Sequence, residues 1–291
     1  MNNTFPQPIV LIGFDGMLGN AWREVLDNLQ VEYRCPTLAE FDLTNEKSIS
    51  QSITDDVQLV INCAAYTAVD KAEEEEFLAT RINGDGVGKL ADRCKQVGAK
   101  IVHYSTDYVF PGNASSPYLP DMQRQPCNAY GRSKAAGEEL IQQSGCEHLI
   151  LRTSWLYAPW ANNFVITIAK LATSRDELQV VNDQFGRPTS AQHLAAASAK
   201  MIQAKACGIH HITDGGQCSW FEFATQIVKL TGANCTIKPC GSEQYPRPAL
   251  RPAYSVLDLS STEKIIGAMP HWKNNLSSVM EQLRKKETVS P

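Results

Sequence analysis

The stretch Ile9-Val10-Leu11-Ile12-Gly13-Phe14-Asp15-Gly16-Met17-Leu18-Gly19 decides the fold class of this chain. Its first four residues are aliphatic, which favours a strand buried on both faces of a parallel sheet. Three glycines follow with the spacing Gly-x-x-Gly-x-x-Gly, and a helix is predicted from Leu18 to Leu29. Such a turn lets a pyrophosphate approach the N–H groups at a helix N-terminus. The stretch therefore predicts a dinucleotide-binding unit.

Strands and helices alternate along the rest of the first half of the chain. The predicted strands are 31–35, 59–62, 100–104 and 149–152, and the predicted helices are 71–97 and 129–143. This rhythm predicts an α/β fold of the Rossmann type, which is a doubly wound parallel sheet.

The pattern loosens after residue 155. The predicted helices there are 161–173, 190–204, 219–231 and 273–286, with short apolar segments and Pro-rich loops between them. We therefore expect residues 1–155 to form mainly an NAD(P)-binding Rossmann domain. We expect residues 156–291 to form mainly a smaller substrate-binding lobe that is interleaved with the sheet.

Composition excludes several classes of protein. The 291 residues are 43% hydrophobic, carry a net charge of −4, and show no Lys or Arg before the short apolar run 9–12. These features argue against nucleic-acid binding, a membrane span and a targeting signal. The nine cysteines are scattered without metal-ligand spacing. We expect a soluble, cytoplasmic protein with reduced thiols and no metal.

The candidate cofactor residues surround the glycine turn and the ends of the neighbouring strands. No acidic residue ends the second strand, and Arg34 stands there instead. A cation at that point favours the 2′-phosphate of NADPH, but an ordinary surface arginine explains it equally well, so NADPH and NADH both stay open. The full predicted set is Gly13, Gly16, Met17, Leu18, Gly19, Arg34, Asp42, Leu43, Ala64, Ala65, Tyr66, Tyr130 and Lys134.

A Tyr-x-x-x-Lys motif, Tyr130 to Lys134, supplies the chemistry. The two positions share a helix face, and a lysine cation lowers the pKa of a neighbouring tyrosine. The tyrosine can then protonate a carbonyl oxygen as hydride reaches the carbon. Thr106 ends the preceding strand and offers a hydroxyl to the same carbonyl. Together with the glycine turn, these residues predict a carbonyl reductase of the short-chain dehydrogenase type.

Longer stretches are more distinctive. They are NCAAYTAVDKAE at 62–73, YSTDYVF at 104–110, YGRSKAAGE at 130–138, RTSWLY at 152–157, NF at 163–164, NDQFGRPT at 182–189, SW at 219–220 and YPRPALRP at 245–252. In these stretches the chain resembles the dTDP-4-dehydrorhamnose reductases, a family of extended short-chain dehydrogenases, over nearly its full length.

The resemblance implies reduction of the 4-keto group of dTDP-4-dehydro-6-deoxy-L-mannose by NADPH or NADH. It implies Thr106, Tyr130 and Lys134 as the catalytic residues, with Tyr130 as proton donor and Lys134 also holding the nicotinamide ribose. Trp155 would line the sugar pocket, and a cation such as Arg187 or Arg251 would meet the substrate pyrophosphate. The implied substrate residues are Thr106, Asp107, Tyr108, Trp155, Asn163, Arg187 and Arg251.

Two alternatives stay open. One is another epimerase, dehydratase or reductase for sugar nucleotides, which Asp107 beside Thr106 allows. The other is a non-catalytic regulatory subunit similar to that of methionine adenosyltransferase, against which the intact Thr106, Tyr130 and Lys134 argue. Some family members form dimers through magnesium held by glutamates. Ala21 and Gln192 stand near those positions here, so no metal is expected, and monomer and homodimer are both possible.

Overall fold

The computed structural model describes residues 5–289. The strands are β1 Ile9–Ile12, β2 Tyr33–Arg34, β3 Leu59–Asn62, β4 Lys100–Thr106, β5 His148–Thr153, β6 Leu156–Tyr157, β7 Glu177–Val181, β8 Phe185–Gly186, β9 Thr189–Ser190, β10 Gly208–His211, β11 Cys218–Ser219 and β12 Thr236–Cys240. The α-helices are α1 Met17–Asn28, α2 Glu46–Ser52, α3 Glu76–Thr80, α4 Val87–Val97, α5 Ala129–Ser144, α6 Phe164–Ala172, α7 Ala191–Gln203, α8 Trp220–Thr231, α9 Ser260–Ile266 and α10 Trp272–Val289.

Six strands form one parallel sheet in the order β10-β5-β4-β3-β1-β2. Every residue of β1, β3 and β4 is buried, because helices cover both faces of the sheet. The predicted doubly wound α/β fold is therefore confirmed. The strand order reverses between β1 and β3, and such a reversal opens a crevice at the carboxyl ends of the strands.

The two faces of the sheet have separate cores. Leu11 belongs to the core that contains Trp22 of α1 and Leu194 of α7. Its neighbour Val10 points the other way, into the core that contains Leu90 of α4 and the middle of α5. This alternation along β1 holds α1 and α5 on opposite faces, with their N-termini available at one edge of the sheet.

The prediction of one helix over 71–97 is wrong. A 3₁₀ turn at Lys71–Glu73 and α3 come first, and a π-helical segment at Arg81–Gly86 separates α3 from α4. Gly86 lets this segment pack closely against Leu43, because a Cβ there would lie 2.7 Å from the carbonyl oxygen of Leu43. The wider turn carries the buried Asn83, whose contacts are described below.

A third core lies beyond residue 155, where Phe223 of α8 packs against Tyr157, Phe164 and Trp272. The chain also returns to the main sheet, because β10 pairs in parallel with β5. The division near residue 155 remains a prediction. Across the described residues, no helix has both the length and the apolar character required to cross a bilayer.

Candidate active site

An elongated cleft lies where the strand order reverses. One part has a volume of about 540 Å³ and is lined by the glycine turn, the end of β4 and the start of α5. The adjoining part, of about 510 Å³, extends from the same turn towards Asp42. Gly13, Asp15 and Ala64 line both parts. Cavities of this size hold cofactors and small ligands.

The glycine turn leaves a helix N-terminus open towards the cleft. Gly16 precedes α1 without a side-chain cap, so N–H groups of the first turn remain available. Gly13 has φ +73°, and a Cβ there would lie 2.7 Å from the Ala64 nitrogen. Gly13, Gly16, Met17 and Leu18 line the cleft as predicted. This open N-terminus fits the pyrophosphate of a dinucleotide.

Gly19 does not line the described cleft. A Cβ on Gly19 would lie only 2.0 Å from the carbonyl oxygen of Gly13, so its glycine permits the helix to pack against the turn. Gly19 therefore has a packing role, and its contact with the cofactor stays a prediction.

Asp42, Leu43, Ala64 and Ala65, which belong to the predicted cofactor set, line the second part of the cleft. Asp42 accepts hydrogen bonds from the backbone N–H and the hydroxyl of Thr44, which lower its pKa. These residues provide a shaped and partly apolar end to the cleft.

Arg34 is not among the residues that line the described cleft, and its role as a cofactor residue stays a prediction. Its guanidinium lies 3.3 Å from Asp56 and donates to the Thr54 hydroxyl at 3.2 Å. Asp56, which is distant in sequence, therefore pairs with the cation at the end of β2. Arg81 lines the second part of the cleft, and sequence reasoning missed it.

Tyr66 is not among the residues that line the described cleft. Its hydroxyl donates to Glu75. Asn83 binds both backbone groups of Tyr66: it accepts from the N–H at 2.8 Å and donates to the carbonyl at 2.9 Å. Its amide also donates to Ser133, which donates to the carbonyl of Tyr130. Asn83 therefore ties the loop after β3 to α5. Its only sequence signal is an amide directly before Gly84, inside a predicted helix.

Thr106, Tyr130 and Lys134 line one wall of the cleft together. Asn128 positions α5 by accepting from the N–H of Gly131 at 2.8 Å. A Cβ on Gly131 would lie 2.2 Å from the carbonyl oxygen of Tyr108, so this glycine lets the helix approach the end of β4. The three predicted catalytic residues are thus brought to one surface.

The electrostatics of Tyr130 differ from the expectation. Burial and the nearby Asp107 carboxylate raise its pKa well above the ordinary value, while the Thr106 hydroxyl lowers it. The expected lowering by Lys134 is not seen, because the Lys134 amine instead donates to the carbonyl of Tyr104 at 2.6 Å. Tyr130 is therefore a neutral phenol with a proton to give.

Asp107 is an enclosed carboxyl group at the cleft wall, with 2% of its surface exposed. Burial raises its pKa to about 6, although hydrogen bonds from Ser255 and Thr106 oppose the shift. Its Oδ2 has no hydrogen-bond partner among the described residues. An unpaired acceptor in the wall suits a ligand hydroxyl.

Trp155 lines the same cleft and is held in an unusual conformation. Its φ is +47°, and its indole stacks on Trp220 with ring centroids 3.6 Å apart. Gly186 also lies against the indole, where a Cβ would be 2.5 Å from Cε2. Positive φ in a large residue is costly and is concentrated at functional sites.

Tyr108 also lines the cleft, and its ring meets that of Tyr130 edge-on at 5.8 Å. Burial and Asp107 raise the pKa of Tyr108, while the charge of Arg251 lowers it. Arg251 thus stands near this wall, but its guanidinium lies 2.8 Å from Asp70. The cation reaches the cleft region already paired.

Asn163 is the N-cap of α6, and its contact with the substrate stays a prediction. Its Oδ1 accepts from the N–H groups of Val165 and Ile166, and its amide donates to the carbonyl of Ala158. Both ends of the side chain are therefore occupied. The apolar run that follows an asparagine is the sequence signal of such a cap.

Arg187 is not among the residues that line the described cleft. It is largely buried, which lowers its pKa, and its Nε has no partner among residues 5–289. Its role stays a prediction. No group of three or more potential metal ligands occurs in the part of the chain that the structure describes.

Comparisons with known proteins agree with this geometry. The model of the RmlD substrate binding domain family matches residues 7–285. The chain is 38% identical to a dTDP-4-dehydrorhamnose reductase of Burkholderia thailandensis, over 91% of this chain and 95% of that protein. It is 40% identical to a dTDP-4-dehydrorhamnose reductase of Clostridium acetobutylicum, whose crystal structure superposes with a TM-score of 0.92, over 95% of this chain and 99% of that one.

A third relative was crystallised with a cofactor. This dTDP-4-dehydrorhamnose reductase of Bacillus anthracis, in complex with NADP, is 35% identical to the chain. The TM-score is 0.90, and the alignment covers 94% of this chain and 98% of that one.

Proposed function

The chain belongs to the dTDP-4-dehydrorhamnose reductase family, and on that premise we propose that it reduces the 4-keto group of dTDP-4-dehydro-6-deoxy-L-mannose to give dTDP-L-rhamnose. NADPH or NADH, bound in the cleft, supplies the hydride. The observation that carries the proposal is the meeting of Thr106, Tyr130 and Lys134 on the wall of a cleft that begins at an open helix N-terminus.

The glycine turn and the first turn of α1 hold the pyrophosphate of the cofactor. The N–H groups there have no side-chain cap and offer donors together with the positive end of the helix dipole. Asp42, Leu43 and Ala64 hold the adenosine end. Lys134 holds the nicotinamide ribose through its amine.

Tyr130 donates the proton to the oxygen of the 4-keto group. Burial beside Asp107 keeps its hydroxyl protonated until a base as strong as an alkoxide forms. The Thr106 hydroxyl, which now donates to Asp107 at 2.9 Å, turns to donate to the same keto oxygen. Thr106 is buried and Tyr130 is partly buried, so both hydroxyl groups are held within the wall of the cleft.

Substrate specificity depends on residues that line the same part of the cleft as Tyr130. The Trp155 indole presents an apolar face suited to the 6-methyl group, and Asp107 Oδ2 accepts from a sugar hydroxyl. Arg251 exchanges Asp70 for the substrate pyrophosphate, because a diphosphate offers more charge than one carboxylate.

The alternatives receive less support. An epimerase or dehydratase would retain its cofactor, and a regulatory subunit has no need of the catalytic residues that this chain keeps. All nine cysteines are free thiols, which fits a reducing compartment, and we place the protein in the cytoplasm. Monomer and homodimer both remain compatible with the proposal.

The test is the oxidation of NADPH, and separately of NADH, by the purified protein with enzymatically prepared dTDP-4-dehydro-6-deoxy-L-mannose. Turnover that yields dTDP-L-rhamnose supports the reaction and the substrate together, and the ratio of rates gives the cofactor preference. Cofactor binding without turnover of this sugar contradicts the assigned substrate. Stoichiometric NAD(H) in the purified protein would point to an epimerase or dehydratase.

A further inference from the structure

A buried row of polar side chains lies beneath the catalytic lysine. Asn62 ends β3, and His103 lies beside it on β4, fully buried, with its Nδ1 3.1 Å from the Asn62 amide nitrogen. The other ring nitrogen, Nε2, lies 3.2 Å from the Lys134 amine. None of these contacts is used by the reaction proposed above.

The orientation of the Asn62 amide fixes the tautomer of the histidine. Asn62 Oδ1 accepts from the backbone N–H of Ala64 at 3.1 Å, so this atom must be the oxygen. The amide nitrogen therefore faces His103 and donates to Nδ1, which must be unprotonated. Burial lowers the pKa of His103 well below its ordinary value, so the ring is neutral and its proton sits on Nε2.

This tautomer presents a donor to Lys134. An ammonium group has three donors and no acceptor, whereas a neutral amine has a lone pair that can accept from the Nε2–H. The Lys134 nitrogen meets the row without a conflict of donors only when it is uncharged. A protonated Lys134 would leave two N–H donors facing each other in a buried site, which is unfavourable.

We propose that His103 is a positioning residue that acts through Lys134: its Nε2–H favours the neutral amine in the free protein, and binding of the nicotinamide cofactor brings a proton onto the lysine. The cofactor ribose offers hydroxyl oxygens that accept from an ammonium, which reverses the preference. The inference rests on the proposed function only in requiring that a nicotinamide dinucleotide binds.

Other titratable and charged groups also surround the lysine. They are Glu138 and Tyr130 on its own helix, Tyr104 beside His103 on β4, Cys63 after β3, and Arg152 on β5, which pairs with Glu138. Glu138 raises the pKa of Lys134, but burial has the larger effect and lowers it to about 8. The amine is therefore poised to change its charge near neutral pH.

The experiment is calorimetric titration of the full chain with NADPH in buffers of different ionisation enthalpy. The slope of the observed enthalpy against that of the buffer gives the number of protons taken up. We expect uptake of roughly half a proton per NADPH at pH 8 and roughly a tenth at pH 7, because a free-state pKa of about 8 leaves those fractions uncharged. NADPH binding without uptake at pH 8 overturns the inference.

His103→Gln is the matched variant. A glutamine amide reaches the position of Nε2 and can turn its oxygen towards a charged lysine, so uptake at pH 8 should fall at least about five-fold. His210→Gln makes the same change on β10, where the ring contacts the carbonyl of Cys207, and it should keep the wild-type uptake. Equal uptake in His103→Gln and the wild type removes His103 from the proposal.

A measurement on the unaltered protein covers the case in which His103→Gln does not fold. Long-range ¹H–¹⁵N spectra distinguish the two histidine tautomers, and His103 should carry its proton on Nε2. A proton on Nδ1 overturns the inference. Failure of NADPH to bind at all would overturn the proposed function with it, whereas binding without proton uptake overturns this inference alone.

Discussion

Glu138 and Arg152 form an ion pair that is closed off from solvent, with 2.7 Å between Oε2 and the guanidinium. Arg124 adds a second cation at 3.1 Å, and the Arg152 guanidinium lies over the ring of Phe110. The pair connects α5, which carries Tyr130 and Lys134, to β5. It therefore fixes the catalytic helix against the sheet.

Glu138→Ala should lower the free energy of unfolding by about 3–5 kcal/mol, because it leaves a buried cation without its partner. Urea denaturation followed by circular dichroism measures the change. Glu177→Ala is the control, since Glu177 pairs with Lys238 at the surface and should contribute little. If both variants lose the same free energy of unfolding, burial does not increase the contribution of the Glu138–Arg152 pair to stability.

Tyr130→Phe should lower kcat by about 10²–10⁴-fold, because the proton donor is lost while the ring and its packing remain. Steady-state NADPH oxidation measures the rate, and fluorescence titration measures the Kd for NADPH. The Kd should change little. Full activity in this variant would exclude Tyr130 as the donor.

Lys134→Ala should weaken NADPH binding and reduce kcat together, because the amine that holds the ribose also positions the nicotinamide for hydride transfer. The same titration and rate assays report both quantities. If the Kd for NADPH stays at the wild-type value, the ribose contact is wrong even if the rate falls.

Asn163→Ala should lower the free energy of unfolding by about 1 kcal/mol and leave the KM for the keto-sugar unchanged, because Asn163 caps α6. Asn45→Ala is the matched control: Asn45 caps α2 in the same way, by accepting from the N–H groups of Lys47 and Ser48. A rise in the KM that is specific to Asn163→Ala would restore it as a substrate residue.

Asp107 should make the fold less stable as the pH rises from about 4 to about 6. Its pKa is raised to about 6 in the native state, so the folded protein binds more protons than the unfolded chain in that window. Asp107→Asn removes this effect and should gain up to roughly 2–3 kcal/mol over the wild type at pH 7.5. Urea unfolding at pH 4.5 and pH 7.5 measures the difference, which should fall to roughly 1 kcal/mol at the lower pH.

The sequence was sufficient for the features that depend on local pattern. The β1 run, the glycine turn and the Tyr130–Lys134 spacing each carry their geometry within a few residues. Because carboxyl ends of parallel strands share one edge, Thr106 could also be placed beside Tyr130 before the fold was known.

The expectations that the sequence could not support concern polar side chains whose hydrogen-bond or ion-pair partners are set by the folded structure. Arg34 is taken by Asp56, and the choice depends on how the edge of the sheet folds. Asn163 was predicted to contact the substrate, and its amide oxygen caps α6. Sequence reasoning missed His103 and Asn83, because the role of each depends on contacts with α5 that only the folded structure shows.

The return of the chain to the main sheet as β10 has a consequence for any attempt to divide the protein. A fragment that ends near residue 155 would lack β10 and would expose the outer edge of β5, where Leu149 and Ile150 now pair with Gly208 and Ile209. An unprotected, apolar edge strand recruits other chains into intermolecular sheets. The cofactor half is therefore expected to aggregate when expressed alone, and its solubility depends on residues that the chain adds after the catalytic helix.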